Sequence, residues 1–315
     1  MTAASTRTDT DTAFGYFGSK KRLAVELCSQ LPPHHAWVEM FCGSAALTLA
    51  KSPAPIEIIN DLDKEVVNFF EQLRQSEKKL CRLIALTPYA REELHRARIQ
   101  KSKPSDLERA RRFLVSSMMA INGVFGEDCG GFSYSDSYAR NGREARVNRW
   151  YNLPERISKV VERLRSIRIE NKDAKELMTQ FLHRPATLVY LDPPYLADRT
   201  NGYNHDENNP EFHRELLKLA NHAHCMIFIS GYANDLYGGL LTRQNGWSRR
   251  TIEATTRNSA GQIQKRTEVV WMNKHFRLAQ KANEAPIVLT KKETKQKKLN
   301  PSRSRGRRRL KKSGG

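Results

Sequence analysis

The sequence predicts an α/β protein built on a mostly parallel sheet, and three observations support this fold class. Short apolar runs alternate with amphipathic segments from Phe14 to about Asp63 and again after residue 165. This alternation is typical of parallel strands joined by crossover helices. Acidic residues directly follow several of the apolar runs. A late pair of runs, WSRRTIEATT and KRTEVVWMN, predicts an antiparallel hairpin beside the parallel strands.

The first half of the pattern reads as loop, helix, strand, loop, helix, strand. KRLAVELCSQL carries a helical apolar stripe, HAWVEMF is a short strand, GSAALTLAKS is a small-residue helix and IEIIND is a second strand. The alternation resumes in IRIENKDAKELMTQFL, TLVYLDPPY, RELLKLANHAH and CMIFISGY. In TLVYLDPPY the strand must stop at the two prolines, because neither has an N–H to donate to a sheet ladder.

Residues 64–165 have a different character. Long charged helical patterns surround a loop rich in glycine, serine, tyrosine and arginine, NGVFGEDCGGFSYSDSYARNGREARVNRW. We therefore divide the chain into a disordered N-terminus (1–13), a main domain (14–63 and 166–275), an insertion (64–165) and a basic, disordered tail (276–315).

Charge and composition narrow the class of protein. The net charge is +20, of which +11 falls in residues 291–315, and such a balance predicts a polyanionic partner, most often nucleic acid. No apolar run is long enough to span a membrane, and the start lacks a signal peptide. The five scattered cysteines form no CxxC motif, which predicts free thiols in a reducing compartment and no metal site.

Four strand ends carry groups that suit a ligand. In open α/β sheets, ligands bind beyond the carboxyl ends of the strands. VEMFCGSA ends a strand in a Gly/Ser turn, and Asp61 ends the next strand 18 residues after Gly43, a position suited to the ribose hydroxyls of an adenosine. Asp173 follows a third strand and Asp192 a fourth. Taken alone, Asp61 could be the N-cap of the next helix and Asp192 could cap its strand before a turn, but four such strand ends together predict a site.

These segments, in this order, resemble the Dam-type (D12 class) DNA adenine-N6 methyltransferases, which use S-adenosylmethionine. The similarity covers most of residues 14–275: FGYFGSKKRL resembles the N-terminal cofactor segment, VEMFCGSAAL the glycine loop, NDLD the ribose acid and LDPPY the catalytic motif. Ala45 stands where the family usually has a second glycine. The resemblance implies a Rossmann-like methyltransferase fold with a seven-stranded sheet and a target-recognition insertion at 64–165.

The resemblance also implies which residues hold S-adenosylmethionine. Lys20 is expected near the carboxylate of its methionine end, Asp61 at the ribose and Asp173 at the adenine amino group. The full set that the resemblance assigns to the cofactor is Tyr16, Lys20, Glu39, Phe41, Gly43, Ser44, Asp61 and Asp173. The alternative for Phe41 is core packing, and the alternative for Lys20 is a solvated charge.

The DPPY segment then has a chemical interpretation. Methyl transfer to N6 requires this nitrogen to become more sp³-like, and acceptors for its two N–H groups would favour that geometry and stabilise the developing charge. Asp192 and the carbonyl of Pro193 would be those acceptors, with Pro194 fixing their direction. Tyr195 would stack on an adenine that has left the duplex. An aspartate in first position implies adenine N6 as the target.

The expected partner is double-stranded DNA. The loop of the insertion interleaves residues suited to phosphates, guanine edges and an orphaned base, with a solvated basic loop as the alternative; these are Tyr134, Tyr138, Arg140, Asn141, Arg143, Arg146 and Arg149. An RNA or protein methyltransferase, and a catalytically inactive DNA-binding relative, remain alternatives. The resemblance further implies a monomer in the cytoplasm of a bacterial or phage-infected cell.

Overall fold

A computed structural model describes residues 10–16, 19–99, 103–121, 130–196, 209–257 and 263–286. Nine strands are described: β1 (Ala36–Glu39), β2 (Ile56–Asn60), β3 (Ala139–Arg140), β4 (Arg143–Glu144), β5 (Ile167–Glu170), β6 (Thr187–Leu191), β7 (Met226–Gly231), β8 (Ser248–Arg257) and β9 (Ile263–Met272). Helices α1 to α11 follow in chain order at Ala24–Ser29, Ala46–Ala50, Lys64–Leu86, Arg91–Arg98, Asp106–Met119, Ala145–Tyr151, Leu153–Leu164, Ala174–Thr179, Pro210–His222, Asp235–Leu240 and Lys274–Ala282. A 3₁₀ turn, Lys20–Arg22, precedes α1.

Seven strands form one mixed sheet in the order β5-β2-β1-β6-β7-β9-β8. Strands β5, β2, β1, β6 and β7 are parallel, while β9 runs antiparallel to both β7 and β8. The predicted α/β class, the seven-stranded sheet and the late hairpin are therefore confirmed. The chain leaves β1 towards β2 and β5 and then returns to place β6 on the other side of β1. The resulting switch point between β1 and β6 is where such sheets bind ligands.

Helices cover both faces of this sheet. Alternate strand residues point to opposite faces, so Val38 and Val189 pack against α8, α9 and α10, whereas Trp37 and Leu188 pack against α1, α2 and α11. The strands β1, β6 and β7 are buried on both faces, which explains their uninterrupted apolar sequences.

The helices at the two ends of segment 64–165 belong to the same layered core. Val66 and Phe69 of α3 and Ile157 of α7 share one apolar cluster with Ile59 of β2 and Ile167 of β5. Helix α3 also carries a kink at Ser76, whose backbone is not helical (φ −140°, ψ 29°). The division of the chain into domains stays a prediction, and this packing ties α3 and α7 to the sheet.

The predicted loop in the insertion contains regular structure. Its last part forms the hairpin β3–β4 and helix α6, while residues 122–129 lie outside the described chain. Asn141 and Gly142 both have positive φ (54° and 70°), the conformation of a two-residue type I′ turn. The Glu144 carboxylate then accepts hydrogen bonds from the N–H groups of Arg146 and Val147 and begins α6. The Asn-Gly pair was the signal for this hairpin in the sequence.

Candidate active site

Asp192 lies directly after β6, at the switch point of the sheet. One of its oxygens, Oδ1, is 2.8 Å from Lys20 Nζ and accepts a hydrogen bond from the Ser230 hydroxyl at 3.1 Å. Ser230 is itself 2.6 Å from the hydroxyl of Tyr190 in β6. Strand β7 pairs with β6, which brings Ser230 beside Asp192. Lys20 and Ser230, which both bind Oδ1, therefore fix the orientation of the Asp192 carboxylate.

Lys20 joins Asp192 to a second acid, Glu268 of β9. Its ammonium lies 3.6 Å from Glu268 Oε1 and 2.5 Å from the phenolic oxygen of Tyr195. The Tyr195 hydroxyl also donates to Glu268 Oε1 at 3.0 Å. We call Lys20, Asp192, Tyr195, Ser230 and Glu268 the acceptor cluster.

Burial and mutual attraction set the charges of the acceptor cluster. Burial raises the pKa of Asp192 above its usual range, and the Lys20 ammonium opposes that shift. Burial likewise raises the pKa of Glu268 to about 6, with Lys20 opposing the rise and Asp192 adding to it. Burial alone lowers the pKa of Lys20, but the two carboxylates together raise it above its ordinary value. One ammonium is therefore shared between two acidic groups, and it opposes the rise that burial causes in the pKa of each.

Tyr195 and Tyr232 form an aromatic pair beside the acceptor cluster. Their ring centroids are 4.4 Å apart with 38° between the planes. With Gly231 and Tyr237 they line a narrow cleft at the end of β7. The Tyr195 ring lies beside Gly231, where a Cβ atom would be in ordinary contact with it at 3.6 Å.

The turn after β1 holds the predicted glycine loop. Gly43 (φ 46°) and Ala45 (φ 53°) both adopt the left-handed conformation, which explains why a glycine would suit position 45. The Gly43 N–H donates to Asp61 Oδ2 at 2.7 Å, and Ser44 Oγ is 2.8 Å from Ser19 Oγ. These bonds join the ends of β1 and β2 to the N-terminal segment.

Tyr16 lies against Gly43. A Cβ atom at position 43 would be 2.7 Å from the Tyr16 ring, well inside the 3.4 Å at which ordinary contact begins. The glycine is thus required both by its positive φ and by the neighbouring ring. Tyr16, Gly43, Ser44 and Asp61 are brought together at one edge of the sheet, as the sequence predicts.

Three other predicted cofactor residues lie around this edge. The buried Glu39 accepts hydrogen bonds from the N–H of Thr48 at 3.0 Å and from its hydroxyl. Burial raises the pKa of Glu39 to about 7, and the bonds from Thr48 oppose the rise. Phe41 is half-buried and meets Phe212 edge to face. Its predicted place in the pocket and its packing role are both compatible with this contact.

Asp61 and Asp173 also stabilise backbone. Asp61 Oδ1 accepts from Asp63 N at 3.0 Å, and Asp173 Oδ1 accepts from the N–H groups of Lys175 and Glu176 at the start of α8. The turn that carries Asp173 is tied to β2 by Asn60, which donates to the carbonyl of Lys172. Asp63, and not Asp61, is therefore the N-cap of α3, while Asp173 caps α8. The predicted contacts of Asp61 and Asp173 with the cofactor stay predictions.

The predicted DNA contacts lie on the hairpin β3–β4, on helix α6 and on the segment before the hairpin that carries Tyr134 and Tyr138. Tyr134 and Tyr138 are exposed, and the guanidinium of Arg143 lies 4.0 Å from the ring centroid of Tyr151. Arg149 differs from the other predicted arginines because it is half-buried beside Gly15. The remaining residues of this set, Arg140, Asn141 and Arg146, are exposed.

Sequence reasoning missed Ser230, Tyr232 and Glu268. FISGY places a serine, a glycine and a tyrosine at the end of the strand next to β6, which was a usable signal. Glu268 lay inside a hairpin strand, and only the register of β9 against β7 brings it to Lys20.

Comparison with known proteins assigns the chain to one family. The family model for D12 class N6 adenine-specific DNA methyltransferases matches residues 16–235. Similar solved structures include a proposed RNA methyltransferase from Pyrococcus horikoshii (11% identity, TM-score 0.36, covering 80% of each chain) and a SAM-dependent methyltransferase from Agrobacterium tumefaciens (8%, TM-score 0.35, covering 81% of this chain and 60% of that one). Precorrin 8w decarboxylase from Methanobacterium thermoautotrophicum is a third (9%, TM-score 0.31, 80% and 87%).

Proposed function

Because the chain belongs to the D12 class of N6 adenine-specific DNA methyltransferases, we propose that the acceptor cluster carries the methylation of adenine N6 in DNA. The methyl donor of this class is S-adenosylmethionine, whose sulfonium supplies an electrophilic methyl group when the cofactor is bound. The observation that supports this assignment best is the Asp192 carboxylate at the switch point, with one oxygen anchored by Lys20 and Ser230.

The residues around Gly43 fit such a cofactor. Asp61 lies at the end of β2 with a carboxylate suited to accept ribose hydroxyls, and the Tyr16 ring lies directly against the Gly43 backbone. Tyr16 and Phe41 supply aromatic surface at the same edge. Asp173 would accept from the adenine amino group of the cofactor, and Glu39 and Ser44 would complete the wall. Lys20 would lie between the methionine end and Asp192.

Asp192 accepts one N6–H of the target adenine in this mechanism. Lys20 and Ser230 both bind Oδ1 and so hold in place the carboxylate that receives the amine. The Pro193 carbonyl accepts the second N6–H in a direction fixed by the two proline rings. As the new N–CH₃ bond forms and the S–CH₃ bond breaks, positive charge grows on N6, and the two acceptors stabilise it. The proton then leaves N6 towards Asp192.

The target base reaches this site only outside the helix stack. Extruding a base costs a few kcal/mol, and stacking on an aromatic ring returns about 1–3 kcal/mol per base. Tyr195 offers that ring; its hydroxyl donates to Glu268, and the ring packs at a tilt against Tyr232. A fixed ring loses little conformational freedom when the base arrives.

Lys20 and Glu268 act as positioning residues for Asp192. If Lys20 were paired with Asp192 alone, its full charge would weaken the carboxylate as an acceptor. Glu268 shares that charge at 3.6 Å and leaves Asp192 more electron-rich. The cluster thus holds the carboxylate in place without neutralising it.

DNA recognition falls to the segment between α3 and α7. Exposed tyrosines and arginines of the β3–β4 hairpin would reach phosphates and base edges. Single replacement of these arginines separates the two roles, since a base contact changes the preferred sequence and a phosphate contact weakens all sequences equally.

The test pairs two substitutions that should have opposite effects. Asp192→Ala should leave S-adenosylmethionine binding nearly unchanged and reduce methyl transfer to DNA by on the order of a hundredfold or more. Asp61→Ala should weaken cofactor binding measured by calorimetry while circular dichroism shows an intact fold. Asp192→Ala retaining more than about a tenth of wild-type turnover would contradict the assigned role, because losing a charge-stabilising acceptor cannot have so small an effect.

A further inference from the structure

Two arginines, Arg149 of α6 and Arg156 of α7, lie beside the N-terminal segment that carries Tyr16. Arg156 Nη2 donates to the carbonyl of Ala13 at 3.1 Å. Arg149 Nη2 lies 3.3 Å from the position that a Cβ atom would take at Gly15. We call these two residues the arginine pair. Both side chains are half-buried, so their positions are defined by packing to a greater degree than those of the exposed hairpin arginines.

Among the residues that the structure describes, little negative charge lies around the arginine pair. Burial, and then the charge of Arg149, lowers the pKa of Arg156 to about 10, while burial and then Arg146 lower the pKa of Arg149. Within the described residues, Asp11 is the carboxylate that acts on both arginines. Asp11 is already bound to Lys21, with 2.5 Å between Oδ1 and Nζ.

The pair also has donors to spare. Each guanidinium carries five N–H donors in a planar fork. The Nε of Arg156 is buried and has no hydrogen-bond partner among the residues that the structure describes. A guanidinium stays charged at any physiological pH, so neither side chain can relieve the repulsion by losing a proton. An anion bound beside the two guanidinium groups would offset this repulsion.

We infer that the arginine pair binds one backbone phosphate of the DNA, next to the nucleotide whose base enters the active site. This inference rests on the proposed function, because it takes DNA as the substrate. A backbone phosphate is the anion that DNA offers, and most protein–DNA hydrogen bonds go to phosphate oxygens and sugars. Planar forks bind phosphate oxygens in a bidentate manner.

The position of the pair connects this phosphate to the catalytic edge. The segment that it borders continues into Tyr16, whose ring lies against Gly43. Ser117 of α5 fixes the same segment by donating to the carbonyl of Gly15 at 2.9 Å. A phosphate bound here therefore places the DNA backbone on the side of the cofactor segment and leaves the extruded base directed towards the end of β6.

The test is a salt titration of binding to a mixed-sequence DNA duplex, with Arg156→Gln compared with Arg165→Gln. Arg165 directly follows α7, is exposed and pairs with Glu162. Its replacement removes the same charge at the end of the helix that carries Arg156. Arg156→Gln should make the slope of log affinity against log salt shallower by about 0.9, the value for one lost phosphate contact. When the salt concentration rises from about 50 to about 200 mM, the fold loss of affinity should therefore be about threefold smaller for the variant than for wild type. Arg149→Gln should act like Arg156→Gln, and Arg165→Gln should keep the wild-type slope.

Controls separate a lost phosphate contact from a damaged fold. Arg156→Lys retains the charge and should restore most of the slope, and calorimetry with S-adenosylmethionine should give the wild-type affinity for all variants. Equal slopes for wild type and Arg156→Gln would overturn the inference, as would a change of slope seen with duplex RNA and absent with DNA. Since binding is measured without turnover, failure of the catalytic roles of Asp192 would leave this result unaffected.

Discussion

Replacing Gly43 by alanine should weaken both folding and cofactor binding, for a reason visible in the turn after β1. Gly43 has φ 46°, and the added methyl group would lie 2.7 Å from Cδ1 and 3.2 Å from Cε1 of Tyr16. These atoms belong to the ring itself, which is attached to the N-terminal segment and cannot swing away as the end of a lysine could.

Two separate effects contribute to the expected magnitude. A left-handed conformation disfavours alanine relative to glycine by about 1–2 kcal/mol, offset in part by the lower entropy of the unfolded chain. Forcing an extra methyl into a packed contact adds about 1–3 kcal/mol. We therefore expect Gly43→Ala to lower the free energy of unfolding by about 2–4 kcal/mol. Displacement of Tyr16 should also weaken S-adenosylmethionine binding by about tenfold or more, or about 1.4 kcal/mol.

Gly142→Ala is the matched control. Gly142 also has a positive φ, 70°, but a Cβ atom there has nothing within 4 Å. It should lose only the conformational part, about 1 kcal/mol, and keep the wild-type cofactor affinity. The assay is denaturant unfolding followed by circular dichroism, with calorimetry for the cofactor. Equal losses of stability in the two variants, or unchanged affinity in Gly43→Ala, would refute the role given to the contact with Tyr16.

Three further outcomes are expected. Glu268 becomes protonated as the pH falls through about 6, because burial raises its pKa. The turnover of the wild type should therefore decline below that pH. Glu268→Gln should have low turnover at every pH and should lack this decline. A decline that persists in Glu268→Gln would assign the titration to another group. Glu57→Gln should destabilise the fold by about 3–5 kcal/mol in urea unfolding, since it leaves the buried Lys51 and Arg163 without their counter-charge. A loss below about 1 kcal/mol would contradict a stabilising role for these ion pairs. Removing residues 291–315, which lie outside the described chain, should reduce the salt dependence of non-specific DNA binding and leave the methylated sequence unchanged; identical slopes would mean that the tail does not contact DNA.

The sheet could be predicted because its strands carry strong local signals. The central strands β1, β6 and β7 are short, continuous apolar runs bounded by prolines, glycines or acids, and each was identified from the sequence. The strand-end acids followed from the rule that ligands bind beyond the carboxyl ends of parallel strands. Asp61 and Asp192 are at this edge in the structure.

The partners of Asp192 could not be predicted in the same way. Lys20 sits in a Lys-Lys-Arg run that reads equally well as a solvated face, yet its side chain is 6% exposed and bound to Asp192. Glu268 reads as an ordinary polar position of a hairpin. Its function depends on the antiparallel register of β9 with β7, a long-range property that local patterns do not contain.

The insertion was the least accurate part of the prediction. Its polar composition suggested a loop, and the structure instead has a tight hairpin and a helix in its C-terminal part. Short elements of this kind form because a turn and a cap fit, here the Asn141-Gly142 turn and the Glu144 cap. Hydrophobic periodicity, the main signal used for longer elements, is too weak over so few residues.

The order of the acceptor cluster along the chain decides when catalysis can begin during synthesis. Lys20 leaves the ribosome early and Asp192 much later, but Glu268 is made only with β9. Strand β8 is made before β9, yet β9 lies between β7 and β8 in the sheet, so β8 can join only after its successor has been inserted. A nascent chain that has already emerged past the DPPY residues therefore still lacks a finished site. Translation that stops after residue 192 but before residue 268 should yield a product that contains Asp192 and yet modifies no DNA.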